Sequence, residues 1–182
     1  MVSKTVGRVT AIVAYNKKFV IGDADGKIPW NIKKDMSHFK KVTMGCPVIM
    51  GRVTYQTFPA KFRPLPGRLN ILLSKKPLEY INQPDFKSEE NPPLWFDEPE
   101  NAIHFAGKEM PEKDAFIIGG EQIYKYCIDN HLVQRVIASE IHGHTDVKGA
   151  AYFPDLKKMG WQRKVKESFD EFTVVEFTLP IS

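Results

Sequence analysis

The sequence is poor in cysteine, with Cys46 and Cys127 as the two thiols among 182 residues. They fall on different predicted elements and lack the spacing of a metal site, so we expect reduced, partly buried thiols in a cytosol-like compartment. No apolar run approaches the roughly 18 residues of a membrane helix, and residues 1–8 lack the apolar stretch of a secretory signal. We therefore predict a cytoplasmic protein with no membrane partner.

Blocks of like charge are missing as well. The net charge is +4, but lysine and arginine are dispersed, and no basic stretch is interleaved with aromatic residues. We therefore predict no nucleic-acid partner, whereas a phosphorylated small molecule would suit the positive charge. The histidines His131, His142 and His144 are more typical of solvated turns than of a metal site, so we predict no metal.

The sequence does have the means to build a core, because 42% of its residues are hydrophobic and 12% are aromatic. We find no internal repeat or linker and predict a single domain over residues 1–182. Continuous apolar, β-branched runs predict buried strands at residues 8–15, 46–51, 69–74, 94–96, 115–118 and 133–141. Helices are predicted at residues 33–44, 52–57, 99–105 and 121–128.

The order of these elements predicts the fold class. Strands and helices alternate over most of the chain, which favours parallel strands joined by crossover helices. Residues 161–167 and 172–179 alternate around a short turn and predict an antiparallel hairpin, while residues 16–26 and 75–93 are predicted as connections. We therefore predict an α/β fold, with a mainly parallel central sheet, helices on both faces and a C-terminal antiparallel hairpin.

The first predicted helix carries a carboxylate on its apolar side. At about 100° per residue from Ile32, Asp35 falls inside an arc of roughly 120° that also holds Met36, Phe39, Val42 and Thr43. A carboxylate that points inward needs a partner, a shifted pKa or a ligand with matched donors. From the helix alone, a structural role and a ligand-binding role for Asp35 remain equally good interpretations.

Three predicted strands end in residues suited to anionic ligands, at the edge where such sheets bind them. In Gly51-Arg52-Val53-Thr54 a cation and a hydroxyl begin a helix, and in Ser74-Lys75 the same types follow a strand. The pair Gly119-Gly120 lets backbone approach a ligand closely, although it is not the G-x-G-x-x-G fingerprint. Taken singly, the first segment is equally typical of an ordinary helix cap. The second is more typical of a solvated strand terminus, and the third of a sharp turn.

Taken together, these segments resemble dihydrofolate reductase over nearly the whole chain. The matching segments, in order, are Ile21-Gly22, Ile28-Pro29-Trp30-Asn31 with Asp35, residues 47–54, Arg63-Pro64-Leu65-Pro66-Gly67-Arg68-Leu69-Asn70, Ile118-Gly119-Gly120-Glu121-Gln122-Ile123-Tyr124 and Tyr152-Phe153-Pro154. The Pro-Trp-x5-acid and Pro-Leu-Pro-Gly-Arg segments are the most specific in combination. The resemblance implies reduction of 7,8-dihydrofolate to tetrahydrofolate, for one-carbon and thymidylate metabolism, by hydride from NADPH.

The resemblance also implies roles in the chemistry and in substrate binding. Asp35 would orient the pterin ring and favour protonation of N5, through a water near Trp30. Arg68 would clamp the α-carboxylate of the glutamate tail, with Arg63 at the pocket rim. The implied catalytic residues are Asp35, Trp30, Ser139 and Tyr124. The implied substrate-binding residues are Ile12, Asp35, Met36, Phe39, Phe58, Arg63, Arg68, Ile118 and Ser139.

For the cofactor, the resemblance implies a site along the strand ends. Arg52 and Lys75 near the adenosine end favour a 2′-phosphate, which predicts NADPH over NADH. The implied cofactor-binding residues are Ala14, Ile21, Gly22, Gly51, Arg52, Val53, Thr54, Ser74, Lys75, Gly119, Gly120, Glu121, Gln122, Ile123 and Tyr124. No metal is implied.

The chain departs from the family pattern at two places. Ala150 and Ala151 stand where many relatives carry Asp-Thr, so the closed geometry of the loop between Gly22 and Pro29 does not carry over. Val53 replaces the cation common after the Gly-Arg pair, which makes Lys75 the stronger candidate for the 2′-phosphate.

Two alternative functions remain open. One is a reductase of a pyrimidine or flavin precursor on the same fold, against which the tail clamp at Arg68 argues. The other is a non-catalytic nucleotide-binding protein, which would be expected to lose Asp35 or Arg68. In every case we expect a monomer that binds a small molecule.

Overall fold

The computed structural model describes residues 7–143 and 146–180. Its strands are β1 (Val9–Tyr15), β2 (Val20–Gly22), β3 (Pro47–Gly51), β4 (Leu69–Leu73), β5 (Leu94–Phe96), β6 (Ala115–Gly119), β7 (Arg135–Ile141), β8 (Ala151–Tyr152), β9 (Gln162–Ser168) and β10 (Phe172–Thr178). Its α-helices are α1 (Lys33–Thr43), α2 (Arg52–Thr57), α3 (Pro99–Glu109) and α4 (Glu121–Asp129). Short 3₁₀ turns occupy Ala60–Phe62, Pro77–Glu79 and Pro84–Phe86.

Eight of these strands form one sheet, in the order β5-β4-β3-β6-β1-β7-β10-β9. The pairs from β5 to β7 are parallel, whereas β10 runs antiparallel to both β7 and β9. The predicted parallel sheet with a C-terminal antiparallel hairpin is therefore confirmed. Because β3 and β6 are neighbours, the Gly51 and Gly119-Gly120 segments end at the same sheet edge.

The sheet is buried on both faces, as its continuous apolar strands predict. Alternate residues of a strand point to opposite faces, and in β1 Ala11 and Ile12 belong to different hydrophobic clusters. One cluster includes Ala102 of α3 and Cys127 of α4, and the other includes Tyr55 of α2 with Phe39 of α1 packed against it. The prediction of helices on both faces is confirmed.

The sequence-based elements differ from the structure at three places. Residues 16–26, predicted as a connection, contain β2, which pairs with the two-residue strand β8. Strands this short carry too few residues to show a period. Helix α3 continues to Glu109 instead of ending at residue 105, and the added turn includes Ala106, which is buried in the core.

Candidate functional site

A cavity of about 1450 Å³ opens at the carboxyl ends of the parallel strands and extends between α1 and α2. Small-molecule pockets are typically about 300–1,000 Å³, so this cavity has room for two ligands side by side. Residues from β1, β3, β4, β6 and β7 reach its wall. The position agrees with the rule that open α/β sheets bind ligands beyond the carboxyl ends of their strands.

The cavity brings together almost all the residues that the sequence singles out. Its wall includes Ile12, Ala14, Ile21, Gly22, Trp30, Asp35, Met36, Phe39, Gly51, Arg52, Val53, Thr54, Phe58, Arg68, Ser74, Lys75, Ile118, Gly119, Gly120, Glu121, Gln122, Ile123, Tyr124 and Ser139. Arg63 is the exception among the predicted residues. Residues far apart in the sequence therefore share one cavity, and their individual roles stay predictions.

Arg63 was predicted at the pocket rim, and the structure places it elsewhere. Its guanidinium lies 5.8 Å from the ring centroid of Tyr55. One of its terminal nitrogens donates to the carbonyl of Gln56 at 3.4 Å, and the other lies 4.0 Å from a carboxylate oxygen of Asp85. These partners hold Arg63 behind α2, away from the cavity.

Asp35 is half-buried in the first turn of α1, at the cavity wall. Burial raises the pKa of the Asp35 carboxyl, against the opposing effects of a hydrogen bond from the Ser139 hydroxyl and of nearby His38. Ser139 itself is buried in β7, opposite Ala14 of β1 in the register of the sheet. The Asp35 carboxyl and the Ser139 hydroxyl therefore line the same cavity, close enough for the hydroxyl to oppose the rise in pKa.

The rest of the apolar arc on α1 divides between core and cavity. Phe39 stacks with Phe58 at 6.4 Å between ring centroids, which makes an aromatic wall across the cavity. Met36 is 61% exposed and lines the cavity, so it does not enclose Asp35 as the helical arc predicts. A side chain on the helix face beside an open cavity can follow the apolar period without being buried.

Two buried ring nitrogens on residues close to Asp35 in the sequence have no hydrogen-bond partner among residues 7–143 and 146–180. They are Nε1 of Trp30 and Nε2 of His38, and both residues line the cavity. Sequence reasoning missed His38, although its place three residues after Asp35 puts it on the same helix face. Burial lowers the pKa of His38, against the opposing charges of Asp35 and Glu167. Trp30 thus lines the cavity and has a buried donor that no described residue uses.

Tyr124 was predicted among the catalytic residues, and its hydroxyl has a partner within the protein. Its hydroxyl donates to the carbonyl of Ile12 at 2.6 Å. Burial raises the pKa of Tyr124 above its usual range. The one proton of the Tyr124 hydroxyl is therefore donated to the middle of β1 in this structure, and its catalytic role stays a prediction.

Backbone and a hydroxyl meet where β3 and β6 end. A Cβ placed on Gly119 would lie 3.3 Å from Oγ1 of Thr54, and one on Gly120 would lie 3.2 Å from the same atom. Gly119 also has φ +136°, which L side chains rarely adopt. We call the contact of Gly51, Thr54, Gly119 and Gly120 the glycine seam. It presents bare backbone at the start of α2 and α4.

Two cationic side chains, Arg52 and Lys75, lie beside the glycine seam, and each already has a partner within the protein. The Arg52 guanidinium donates to Oε1 of Gln56 at 2.7 Å and lies 4.4 Å from the ring centroid of Tyr80. Lys75 donates to Oε1 of Glu98 at 2.7 Å, and that hydrogen bond raises the pKa of Lys75. Glu98 was not singled out by the sequence, because it follows β5 far along the chain from Lys75.

Arg68 also lines the cavity and is 7% exposed. Its Nε donates to the carbonyl of Pro66 at 2.9 Å, and a terminal nitrogen lies 3.3 Å from Oγ1 of Thr43. Burial lowers the pKa of Arg68. No carboxylate of the described chain forms an ion pair with it, so this buried cation is balanced by neutral oxygens alone.

A loop of residues 23–27 covers one side of the cavity. The Asp23 carboxylate accepts from the backbone N–H groups of Asp25 and Lys27, which closes the loop on itself. A Cβ on Gly26 would lie 3.5 Å from Val53 and from Thr57 of α2. The loop therefore reaches across the cavity mouth to α2.

The remaining structural findings concern metals and membranes. Across residues 7–143 and 146–180, no cluster of three or more histidine, cysteine or acidic side chains is placed to hold a metal ion. His142 hydrogen-bonds the Asp170 carbonyl and the Thr173 hydroxyl, and His144 lies outside the described residues. Both cysteines are free and buried. Within the same ranges no helix has the length and hydrophobicity to cross a membrane.

Comparison with known proteins places this geometry in a family. A model of the family described as dihydrofolate reductase matches residues 8–179. The chain belongs to the dihydrofolate reductase family. The match includes both the acid-bearing helix α1 and the glycine seam, so the dihydrofolate reductase pattern covers the whole cavity.

Individual dihydrofolate reductases support the assignment. The chain is 33% identical to that of Candida albicans over 92% of this chain and 88% of the relative. It is 32% identical to that of Neisseria gonorrhoeae over 93% of this chain and 97% of the relative. A solved dihydrofolate reductase from Enterococcus faecalis, in complex with NADP(H), has a TM-score of 0.71 at 23% identity and covers 96% of this chain and 97% of its own. That likeness shows the dihydrofolate reductase fold.

Proposed function

We propose that this cavity carries out the reaction of its family, the reduction of 7,8-dihydrofolate to 5,6,7,8-tetrahydrofolate with NADPH. The observation that carries the proposal is Asp35, a half-buried carboxyl held by Ser139 at one part of a cavity whose other part is the glycine seam. NADPH supplies a hydride when it is bound. The protein must then orient an imine and provide one proton.

Asp35 would perform both tasks. An ionised carboxylate accepts two parallel hydrogen bonds from an amidine-like edge, which fixes the plane of the pterin ring. Since burial raises the pKa of Asp35, a larger fraction of the group is protonated near neutral pH than for an exposed aspartate. Nε1 of Trp30, which has no hydrogen-bond partner among the described residues, would hold a water that passes the proton toward N5.

Arg68 would receive the glutamate tail of the substrate. A guanidinium pairs with a carboxylate in a bidentate geometry, and this one is buried without an acidic partner in the described chain. An incoming α-carboxylate would supply the missing charge. Phe39 and Phe58 line the same cavity as Asp35 and Arg68, and their stacked rings suit a flat aromatic linker.

The glycine seam and the cations beside it fit a dinucleotide. The starts of α2 and α4 present backbone N–H groups that favour anions, and the bare backbone of Gly119 and Gly120 leaves room for close approach. Arg52, held by Gln56 and Tyr80, would contact phosphate. Lys75 would contact the 2′-phosphate that distinguishes NADPH from NADH.

The test of the proposal is a steady-state assay with purified protein. NADPH consumption should depend on dihydrofolate, and NADH should support a lower kcat/KM. Turnover of a pyrimidine or flavin precursor in place of dihydrofolate would reject the substrate, and absence of any nicotinamide oxidation would reject the reductase itself.

The Lys75–Glu98 pair makes a specific prediction about the cofactor. Replacing Glu98 with glutamine should lower the KM for NADPH about threefold and leave the KM for NADH unchanged, because Glu98 competes with a 2′-phosphate for Lys75 and exposed ion pairs are weak. Asp129→Asn, which removes an exposed partner of Lys125 on α4, serves as the control. Equal changes for both cofactors would show that Lys75 does not read the 2′-phosphate.

We further propose a single domain and a monomer in the cytoplasm. The family match spans nearly the whole chain, which supports one domain. The edge strand β9 is exposed along its length and carries charges of both signs, which disfavours pairing with a second sheet. Two free cysteines are typical of a reducing compartment.

A further inference from the structure

The carboxylate of Glu121 makes a contact that the cofactor motif does not require. Glu121 is the first residue of α4, directly after the glycine seam, and it lines the cavity. Its Oε2 accepts the backbone N–H of Tyr152, which lies 31 residues away in β8. The side chain therefore joins the start of α4 to a strand outside the central sheet.

Strand β8 leads on to the loop over the cavity. It pairs with β2 through Val20 opposite Tyr152 and Gly22 opposite Ala151, and the Phe153 N–H donates to the carbonyl of Phe19 at 2.9 Å. The end of β2 continues directly into loop 23–27. A contact that fixes β8 therefore also restricts the loop, because β8 is paired with β2 through its backbone and β2 leads into the loop.

Loop 23–27 has few other means of being held over the cavity. On the side of α2, the nearest atoms to a Cβ built on Gly26 are methyl carbons of Val53 and Thr57, at 3.5 Å. The contact of the loop with the segment before β8 is steric, since a Cβ on Gly149 would lie 2.7 Å from that of Ala24. Ala150 and Ala151 have no polar side chain to offer the loop. A polar side chain that holds the segment around β8 must therefore come from another element.

We propose that Glu121 is a positioning residue that holds loop 23–27 over the cavity by tethering β8 to the start of α4. The proposal rests on the proposed function, because the loop and α4 then border the same bound cofactor. Glu121, assigned by resemblance to cofactor binding, acts in this view through β8 and not by contact with the cofactor.

The negative charge of Glu121 and its hydrogen bond to Tyr152 have opposite expected effects on the binding of an anionic cofactor. The carboxylate stands at the N-terminus of a helix that favours anions, so its charge alone weakens phosphate binding. Its hydrogen bond to Tyr152 stabilises the covering loop and therefore slows release. Glutamine at this position removes the charge and keeps an oxygen acceptor, whereas alanine removes both.

The experiment measures NADPH dissociation by stopped-flow competition in the parent protein, E121Q and E121A. Dissociation from E121A should be about fivefold faster, the size expected for loss of one exposed hydrogen bond to a charged acceptor. E121Q should release NADPH no faster than the parent. Asp129→Ala, at the far end of α4, should match the parent and controls for loss of a carboxylate on that helix. Equal acceleration in E121Q and E121A would overturn the tether.

Amide hydrogen exchange of the ligand-free proteins gives a second readout. Peptides covering residues 19–27 and 149–153 should exchange faster in E121A than in the parent, and E121Q should restore protection. Unchanged exchange in E121A would overturn the proposal. Because this measurement needs no cofactor, a parent protein that failed to bind NADPH would reject the proposed function and still leave the tether to be judged by exchange.

Discussion

Replacing Asp35 with asparagine is expected to lower turnover of dihydrofolate about a thousandfold at neutral pH, within the range measured for loss of a general acid. Asparagine has nearly the same shape but cannot release a proton to N5, and its amide cannot accept two hydrogen bonds in place of the carboxylate. The loss should appear in kcat and in kcat/KM, measured as NADPH consumption. Near-parental turnover of this variant would show that Asp35 is not the acid.

The pH profile tests the role of Asp35 further. The protonated form delivers the proton, so parental turnover should fall as pH rises through the pKa of Asp35, which burial raises. The Ser139 hydroxyl opposes that rise, and Ser139→Ala should therefore move the inflection to higher pH. The inflection should be absent from Asp35→Asn. A profile identical in parent and Ser139→Ala would separate Ser139 from the acid.

Stability measurements show whether the loss of activity in Asp35→Asn is caused by misfolding. A carboxyl whose folded pKa is raised contributes stability that is present below its unfolded pKa and is lost as pH rises through the folded pKa. Ionisation of the half-buried Asp35, as pH rises through its folded pKa, therefore destabilises the fold. Asp35→Asn should unfold at the same or a higher urea concentration than the parent, while its activity is lost.

Replacing Arg68 with leucine is expected to raise the KM for dihydrofolate about a hundredfold, corresponding to about 3 kcal/mol for a truncated, buried charge pair. The guanidinium is 7% exposed and is bonded to neutral oxygens of Pro66 and Thr43, so a substrate carboxylate would be its one countercharge in the cavity. The effect on kcat should be much smaller, because the tail lies away from the reacting bond.

A truncated substrate supplies the control for Arg68. A dihydropterin without the glutamate tail should give the same kcat/KM with the parent and with Arg68→Leu, since it lacks the carboxylate that Arg68 would bind. If the variant lost as much activity on the truncated substrate, the damage would lie in the pterin site. If it kept its KM for dihydrofolate, the tail would bind elsewhere.

The fold could be predicted from local sequence wherever a segment was long enough to show a period. The apolar runs of β1, β3, β4 and β6 and the hairpin of β9 and β10 are of this kind. Strands β2 and β8, of three and two residues, exist because they pair with each other. Such pairing depends on tertiary proximity and leaves no period in the sequence.

The site was predictable to the extent that residue type and element position determine it. Asp35 on the inner side of α1 and the glycines at the ends of β3 and β6 are examples. Partners across the fold were not predictable, because nothing local marks them. The contacts of Arg63 with Tyr55, of Lys75 with Glu98 and of Tyr124 with Ile12 each give a partner within the protein to a side chain that was assigned to a ligand.

The glycine seam has a consequence for how this sequence can change over evolutionary time. A side chain at position 120 would require Thr54 to move away, and the Thr54 hydroxyl would then leave the cavity wall. At Gly119 the backbone conformation itself, at φ +136°, disfavours any other L residue. Positions 54 and 120 are therefore coupled: a substitution at Gly120 is tolerated together with a smaller residue at position 54. Among descendants of this chain, the residues at positions 54 and 120 should change together or remain unchanged.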